Sequence, residues 1–260
     1  MQVDVVSDLH FDFYQIDAPG FVREILPDRP SEVLVIAGDL GHHNEQNAQL
    51  VRALREIGGY PHIIIVIGNH DLYINPRAYE DSWERLAELQ SMLEEIPGVW
   101  LLNGDFAEIG GVRFGGVPMW YDMSFGHGLG YSTDALLDLW RRTNNDANFI
   151  IWGTTPMAAF MEEQRRKLRA IADRVDVLVT HVGPDWRQAK GRYLHDPTTA
   201  FFFFDGRAEA ERFHGLWVFG HTHARSDAMV GDCRLVNAAL GYPWEIRDRR
   251  IVTIEVESGS

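Results

Sequence analysis

Apolar runs and segments of helical periodicity alternate along most of the chain. Val33–Ala37 and Ile63–Ile67 are nearly continuous runs of mostly β-branched residues, the pattern of strands that are covered on both faces. Between these two runs, the apolar positions of residues 44–57 recur at helical spacing. The pattern therefore predicts an α/β fold in which buried strands and helices follow one another.

The pattern further along the chain predicts a second helix and two groups of strands. Asn75-Pro76 is predicted to begin the helix, which is expected to end near Glu95, because asparagine caps helices and proline suits the first turn. Residues 131–174 also have mainly helical character. Further strands are predicted at residues 3–6, 99–102, 106–109, 112–116, 175–180, 216–219, 228–230, 234–237 and 251–256. We assign the last four to a second, partly antiparallel sheet, and we expect a single domain over residues 1–257 with helices outside the sheets.

Polar residues directly follow five of the predicted strands. They are Asp8 with His10, Asp39, the group Asn69-His70-Asp71, His181, and His221 with His223. Carboxyl ends of strands are where α/β folds build sites, because the loops there converge on one crevice. Residues two apart in an extended segment point the same way, so each Asp-x-His or His-x-His pair can meet at one ion. This number of oxygen and imidazole ligands predicts two divalent ions.

In order and rough spacing, these five groups resemble the full signature of the calcineurin-like metallophosphoesterase superfamily, over residues 8–223. The resemblance implies a four-layer α/β/β/α sandwich with two mixed β-sheets and a dinuclear metal centre at the strand ends. It also implies the ligands, which are Asp8, His10 and His223 for the first ion, Asn69, His181 and His221 for the second, and Asp39 as the bridge. A carboxylate suits the bridging position because it has two anionic oxygens to share between cations.

The chemistry that the resemblance implies is hydrolysis of a phosphate ester by a water that two cations activate. His70 is then the expected general acid, which protonates the departing alkoxide. Asp71 is expected to orient His70 or to support the turn. The mixed ligand set accepts manganese, iron, zinc, cobalt or nickel, and we favour manganese.

Two departures from related enzymes narrow the substrate class. Protein Ser/Thr phosphatases of the superfamily carry an arginine shortly after the bridging aspartate, whereas Asp39 is followed here by Leu40-Gly41-His42-His43. Small lipid-precursor hydrolases of this fold commonly have arginine at the turn histidine, whereas this chain keeps His70. What remains resembles the broad phosphodiesterase branch, acting on a small or flexible substrate. The alternatives are a phosphomonoesterase that uses the same site and a non-catalytic metal-binding scaffold protein.

Three residues outside the signature are candidates for contact with the substrate. His42 and His43 follow the bridging aspartate, so either could reach the substrate. Arg192 follows the His181 strand and is the cation that could clamp a phosphate group. Such a clamp would favour a monoester, which carries more negative charge than a diester.

Two aromatic segments have two alternative interpretations each. A substrate-rim insert is predicted around residues 118–160, in which Trp120 and Tyr121 either stack on the leaving group or pack in the core. Phe201–Phe204 forms either a hydrophobic lid or dimer contact, or part of the core.

Composition and charge exclude several classes of protein. The formal net charge of −14 disfavours an extended duplex nucleic-acid surface. No apolar run approaches the roughly 20 residues needed to cross a bilayer, and the first residues lead into a strand rather than a signal peptide. A single cysteine, Cys233, excludes an internal disulfide and a thiolate-rich zinc site. We therefore expect a cytoplasmic protein whose partner is a small phosphate ester, and the sequence leaves its oligomeric state open.

Overall fold

The structure is a computed structural model that describes residues 1–74, 78–189, 191–245 and 250–256. Its first sheet consists of β1 (Gln2–Val6), β2 (Val33–Ala37), β3 (His62–Val66), β4 (Val99–Leu101) and β11 (Val252–Glu255). The strand order is β11-β1-β2-β3-β4. Strands β1 to β4 are parallel, and β11 runs antiparallel to β1.

The second sheet also mixes parallel and antiparallel pairs. It consists of β5 (Asp105–Ile109), β6 (Val112–Gly116), β7 (Val177–Val179), β8 (Gly215–Phe219), β9 (Ser226–Val230) and β10 (Cys233–Asn237). The strand order is β5-β6-β7-β8-β10-β9. The four central strands are parallel, and the two edge pairs are antiparallel.

Helices cover the outer face of each sheet. The described residues form α1 (Ala18–Ile25), α2 (Asn44–Glu56), α3 (Ser82–Glu94), α4 (Ser124–Gly128), α5 (Thr133–Thr143), α6 (Asp146–Phe149), α7 (Met157–Ile171) and α8 (Arg207–Arg212). Helices α1 to α3 pack on the first sheet, and α5, α7 and α8 pack on the second. Within the described residues, no helix is both long enough and apolar enough to cross a membrane.

Strand side chains alternate between two apolar layers, and this alternation builds the sandwich. In β2, Val33 and Val35 pack between the two sheets, whereas Leu34 and Ile36 pack against α1 to α3. The second sheet buries its outer face against helices in the same manner. The predicted four-layer α/β/β/α arrangement with two mixed sheets is confirmed.

The sheet assignment of the last strand was wrong. We assigned Ile251–Val256 to the second sheet, whereas β11 pairs with β1 in the first sheet, with Val252 opposite Val5. Alternation of apolar residues identifies a strand, but the pattern carries no information about its partner some 250 residues away along the chain.

The helix predicted from Asn75-Pro76 begins later. That predicted start lies outside the described residues, and the backbone of residues 78–81 is not helical. Helix α3 begins at Ser82 because the Asp81 carboxylate accepts hydrogen bonds from the backbone N–H groups of Trp83 and Glu84. Its last residue, Glu94, agrees with the predicted end.

Both aromatic segments contribute to the core. Trp120 and Tyr121 are 2% and 1% exposed, so neither ring is open to a ligand. Phe201, Phe203 and Phe204 are buried as well, whereas Phe202 is half-buried. Core packing is therefore the interpretation that the structure supports for these side chains.

Burial of Cys233 makes the stability of the fold depend on pH. Burial raises the pKa of the thiol from an ordinary value of 9.0 to about 12. The unfolded chain therefore loses this proton before the folded chain does, so the contribution is full below about pH 9 and is lost as the pH rises towards 12. We expect the free energy of unfolding to fall by about 1.4 kcal/mol between about pH 8 and about pH 10 from this group alone.

Urea titrations at these pH values would measure that fall. The variant Cys233→Ala removes the group, so its free energy of unfolding should decline less over the same range by that amount. Equal declines in the two proteins would contradict the prediction.

Candidate dinuclear metal centre

The backbone at the strand ends has an unusual conformation. Seven non-glycine residues of the described chain have a positive φ, and five of them are proposed ligands: Asp8, His10, Asp39, His221 and His223. Such conformations cost on the order of 1–3 kcal/mol each and cluster at functional sites. The glycine before Asn69 has a related role, because a Cβ at Gly68 would collide with the Asp39 carboxylate.

The first set of proposed ligands converges on one point. Single ligand atoms of Asp8, His10, Asp39 and His223 all lie within 4.8 Å of one another. Within this set, Nε2 of His10 lies 2.9 Å from Nε2 of His223, and Oδ1 of Asp8 lies 3.4 Å from the same His223 atom. These separations fit atoms that share one ion at about 2.0–2.2 Å.

The second set lies on the other side of Asp39. Oδ1 of Asn69 lies 3.0 Å from Nε2 of His181 and 2.9 Å from Nδ1 of His221. Oδ2 of Asp39 lies 3.4 Å from Nε2 of His181 and 3.7 Å from Nε2 of His10. The other oxygen of Asp39 accepts a hydrogen bond from the backbone N–H of His70. One Asp39 oxygen therefore faces both ligand sets, which is the arrangement that a bridging ligand requires.

The hydrogen bonds behind the second set show that its ligand atoms suit a cation. Nδ1–H of His181 donates to the carbonyl of Ala37 (2.8 Å), and Nε2–H of His221 donates to the carbonyl of Phe201 (2.9 Å). In the neutral rings, the remaining nitrogens therefore direct lone pairs at the amide oxygen of Asn69. Only a proton or a cation can satisfy lone pairs that converge in this way, so these residues fit a divalent ion.

The pKa values of His181 and Asp8 reflect the close approach of carboxylates and imidazoles in the two ligand sets. Burial alone would lower the pKa of His181, but the Asp39 carboxylate raises it to about 9. Burial alone would raise the pKa of Asp8, but the hydrogen bond and charge of His223 lower it to about 2. Both the proton on His181 and the charge on Asp8 are thus favoured at neutral pH. A divalent ion would have to displace such protons, so its binding is coupled to proton release.

Comparison with known proteins identifies the family of the chain. The family model for calcineurin-like phosphoesterases matches residues 1–225. The chain belongs to the calcineurin-like phosphoesterase family. Membership supports metal-dependent hydrolysis of a phosphate ester, and the cluster of Asp and His side chains is a group that could hold the metal.

Two similar proteins cover almost the whole phosphoesterase chain. An uncharacterized protein of Acanthamoeba polyphaga mimivirus is 23% identical over 268 residues, which cover 92% of this chain and 91% of the viral protein. The crystal structure of phosphopantetheinyl hydrolase (PptH) from Mycobacterium tuberculosis superposes with a TM-score of 0.76 and 20% identity, covering 96% of this chain and 95% of that one. At this level of identity, the superposition shows a shared fold.

An aspartate that the sequence did not single out orients Asn69 in the phosphoesterase. The Asp146 carboxylate accepts a hydrogen bond from Nδ2 of Asn69 at 2.7 Å, which leaves the amide oxygen facing His181 and His221. Asp146 is buried and also accepts hydrogen bonds from the hydroxyl groups of Tyr73 and Tyr121. It lies within the predicted rim insert, so that segment also supports the proposed ligand Asn69.

We therefore expect Asp146→Ala to lower the affinity for divalent ions by about 10–100-fold, the usual cost of removing such a supporting group. Manganese titration of the metal-depleted protein would measure the change. Asp134→Ala, which removes an exposed aspartate of α5, is the control and should bind manganese as the unaltered protein does. Unchanged affinity in Asp146→Ala would contradict the role of this carboxylate.

Asp71 supports the turns and makes no contact with the His70 ring among the hydrogen bonds of the described residues. Its buried carboxylate accepts hydrogen bonds from the backbone N–H groups of Asp39 (2.9 Å), Leu40 (3.0 Å) and Gly68 (2.8 Å). Burial, followed by the neighbouring charge of Asp39, raises the pKa of Asp71 to about 6. Of the two roles considered for Asp71, the geometry favours support of the loops that carry Asp39 and Asn69.

A buried arginine fixes the same loops from behind. Arg85, in α3, is 1% exposed and donates hydrogen bonds to the carbonyls of Gly41 (2.8 Å), His70 (2.9 Å) and Tyr73. Its Nε donates to the side-chain oxygen of Asn44. Arg85 was not among the predicted site residues, and it connects the turn histidine to the loop after Asp39.

His70 lies beside the first ligand set. Its ring centroid is 4.5 Å from that of His10, and its Nε2 lies 3.4 Å from the hydroxyl group of Tyr242. Tyr242 stacks on His10 with centroids 4.5 Å apart. Burial lowers the pKa of His70 well below its ordinary value, although the Asp39 charge acts in the opposite direction. The position allows His70 to exchange a proton with a group bound at the ligand sets.

The three predicted substrate contacts occupy different places. His42 contacts His70, with Nε2 of His42 2.8 Å from Nδ1 of His70. His43 is exposed at the start of α2, and within the described part of the chain its ring takes part in no hydrogen bond or ion pair. Arg192 is exposed, and its guanidinium lies over the ring of Tyr193 and donates to the Tyr193 hydroxyl. His42 is thus the candidate that the structure brings to the site.

Proposed function

We propose that this phosphoesterase is a metal-dependent phosphodiesterase that hydrolyses small or flexible diesters with an uncharged second ester group. The observation that carries the proposal is the position of Asp39 between the two ligand sets. Its Oδ2 lies 3.7 Å from Nε2 of His10 and 3.4 Å from Nε2 of His181. A carboxylate in this position can neutralise two cations at once.

The ligand atoms described above would hold two divalent ions, for which we favour manganese. When bound, such ions supply Lewis-acid polarisation of the phosphate group and lower the pKa of water. The chain itself orients the ligand atoms through the carbonyls of Ala37 and Phe201 and through Asp146. We assign the transfer of a proton to the leaving oxygen to His70.

The position of Arg192 supports a diester over a monoester. A monoester carries about −1.5 to −2 charge at neutral pH, so it gains more than a diester from a cationic clamp. Arg192, the candidate for such a clamp, contacts Tyr193 instead. The formal net charge of −14 likewise favours a small substrate over an extended nucleic acid.

A cleft beside the second ligand set supports an uncharged ester group. The cleft has a volume of about 250 Å³ and is lined by Gln188, Tyr193, Thr199, Phe202, Phe203 and Thr222, among others. None of the described residues that line it is charged. Thr222 lies between the proposed ligands His221 and His223, and the Phe202 ring lies 5.3 Å from that of His221. A phosphopantetheinyl ester, the group in the name of the similarly folded hydrolase, combines phosphate with an uncharged amide chain and belongs in the substrate screen.

A hydrolysis assay on metal-depleted protein resupplied with manganese tests the proposal. The assay compares bis-p-nitrophenyl phosphate with p-nitrophenyl phosphate and includes a sample without metal. We expect turnover of the diester to return with manganese and to exceed turnover of the monoester.

Other outcomes would each reject part of the proposal. Preference for the monoester would retain the metal centre and reject the diester substrate. Tight metal binding without turnover of either compound, or of a phosphopantetheinyl ester, would favour the non-catalytic scaffold.

A further inference from the structure

Asp12, His42 and His70 form a chain of hydrogen bonds that leads away from the metal ligands. Oδ2 of Asp12 lies 2.6 Å from Nδ1 of His42, and Nε2 of His42 lies 2.8 Å from Nδ1 of His70. The other Asp12 oxygen accepts from the backbone N–H of His42 at 3.3 Å, so the carboxylate contacts this residue twice. The side chains of Asp12 and His42 are only 12% and 24% exposed, which limits competition from water.

The direction of the hydrogen bonds follows from the chemistry of the three groups. A carboxylate only accepts, so Nδ1 of His42 carries the hydrogen that is donated to Asp12. Nε2 of neutral His42 is then an acceptor, and Nδ1–H of His70 donates to it. The remaining nitrogen of His70, Nε2, is left as the atom that exchanges a proton with the site.

The neighbouring rings keep the His70 imidazole in one orientation. The His70 ring stacks on Tyr73 with centroids 4.3 Å apart, and the His42 ring stacks on the same tyrosine at 5.4 Å. Tyr73 is itself fixed by the hydrogen bond from its hydroxyl to Asp146 at 2.6 Å. The His70 ring is therefore held by stacking on its face and by a hydrogen bond at Nδ1. Because its orientation is fixed before the substrate binds, Nε2 can face the substrate without a further loss of side-chain entropy.

We propose that Asp12 and His42 are positioning residues that fix the tautomer and orientation of His70, so that Nε2 of His70 delivers the proton to the leaving oxygen. The proposal rests on the proposed phosphodiesterase function. In the step concerned, a water oxygen forms a new bond to phosphorus and the bond from phosphorus to the leaving oxygen breaks. The leaving oxygen keeps the electron pair of that bond and takes the Nε2 proton of His70, which enters this step as the imidazolium after taking up a proton from solvent. The imidazole becomes neutral, and the proton lost by the water goes to solvent.

The loss of rate in a variant should depend on the leaving group if Asp12 and His42 position the proton donor, but not if they only support the structure. A proton donor matters most when the leaving oxygen is strongly basic and little when it is already a stable anion. Loss of structural support would instead slow every substrate by the same factor. The experiment therefore compares methyl p-nitrophenyl phosphate with methyl phenyl phosphate, whose leaving group is the more basic.

The variant to measure is Asp12→Asn in the full, manganese-loaded chain. Asparagine keeps the size of the side chain, but its amide cannot hold the His42 hydrogen as a carboxylate does. We expect kcat for the phenyl diester to fall by about 10²-fold, and kcat for the nitrophenyl diester by no more than about threefold. KM and the manganese content should change little.

Two further variants complete the test. Asp17→Asn also removes one aspartate charge, at the cap of α1 where asparagine caps equally well, and it should leave both rates unchanged. Adding Asp12→Asn to His42→Ala should not lower kcat for the phenyl diester any further, because Asp12 acts through His42.

The outcomes distinguish failure of this inference from failure of the proposed function. Equal losses on the two diesters, or no loss on either, would overturn the role of Asp12 while leaving a phosphodiesterase. If the unaltered protein hydrolyses neither diester, both proposals fall.

Discussion

Asp39→Asn is expected to remove most of the activity of this phosphoesterase. The amide oxygen is neutral, so it attracts two cations far less than the carboxylate oxygen that faces both ligand sets, and the amide NH2 would take the place of the oxygen that accepts from the backbone N–H of His70. A loss of about 4 kcal/mol of charge stabilisation corresponds to about 10³-fold in rate, and we expect at least that decrease in kcat/KM on bis-p-nitrophenyl phosphate. The steady-state rate and the manganese content of the purified variant are the measurements.

The matched control for this substitution is Asp28→Asn. Asp28 is 90% exposed and pairs with Arg250 at the surface, so its loss should change the rate little. A second check is the metal content, because Asp39→Asn should bind fewer than two ions per chain whereas the control binds the full amount. Full activity in Asp39→Asn would show that hydrolysis does not need a carboxylate between the two ligand sets. The proposed function would then lose its main support.

The sequence was informative about the proposed metal ligands because each group of them lies just after a buried strand. The run before Asp39 and the run before Asn69 are continuous apolar segments, so the position at which each strand ends can be read from composition alone. Parallel strands then bring those ends to the same edge of the sheets, and the structure does place both ligand sets there. Local pattern and site geometry agree for this reason.

The residues that support the site were missed for the opposite reason. Asp146 begins a short helix 77 residues after Asn69, and Arg85 lies in α3, where a single arginine is ordinarily a solvated side chain. Asp12 follows His10 by two residues, a spacing that suggested nothing without knowledge of the turn between them. Their roles depend on contacts between distant elements, which periodicity and motif spacing do not encode. The same limit explains the wrong sheet assignment of β11.

His70→Ala is expected to have the second large effect, through kcat rather than through metal binding. The ring lies next to His10 but is not among the atoms of either ligand set, so the variant should keep its manganese content and KM. Proton donation by a positioned side chain is worth roughly 10²–10⁴-fold, and we expect a decrease in that range for methyl phenyl phosphate. The decrease for methyl p-nitrophenyl phosphate should be smaller. His214→Ala, at a histidine whose side chain is 74% exposed, is the control.

Combining His70→Ala with Asp12→Asn separates the proton donor from the residues that position it. If Asp12 acts only through His42 and His70, its replacement should cost nothing further once His70 is absent, and the leaving-group dependence should be the same in the single and double variants. An additional loss in the double variant would mean that Asp12 supports His10, two residues before it, instead. Because these alternatives differ in manganese content as well as in rate, the two measurements together decide whether the Asp12–His42–His70 chain serves proton transfer or the ligands.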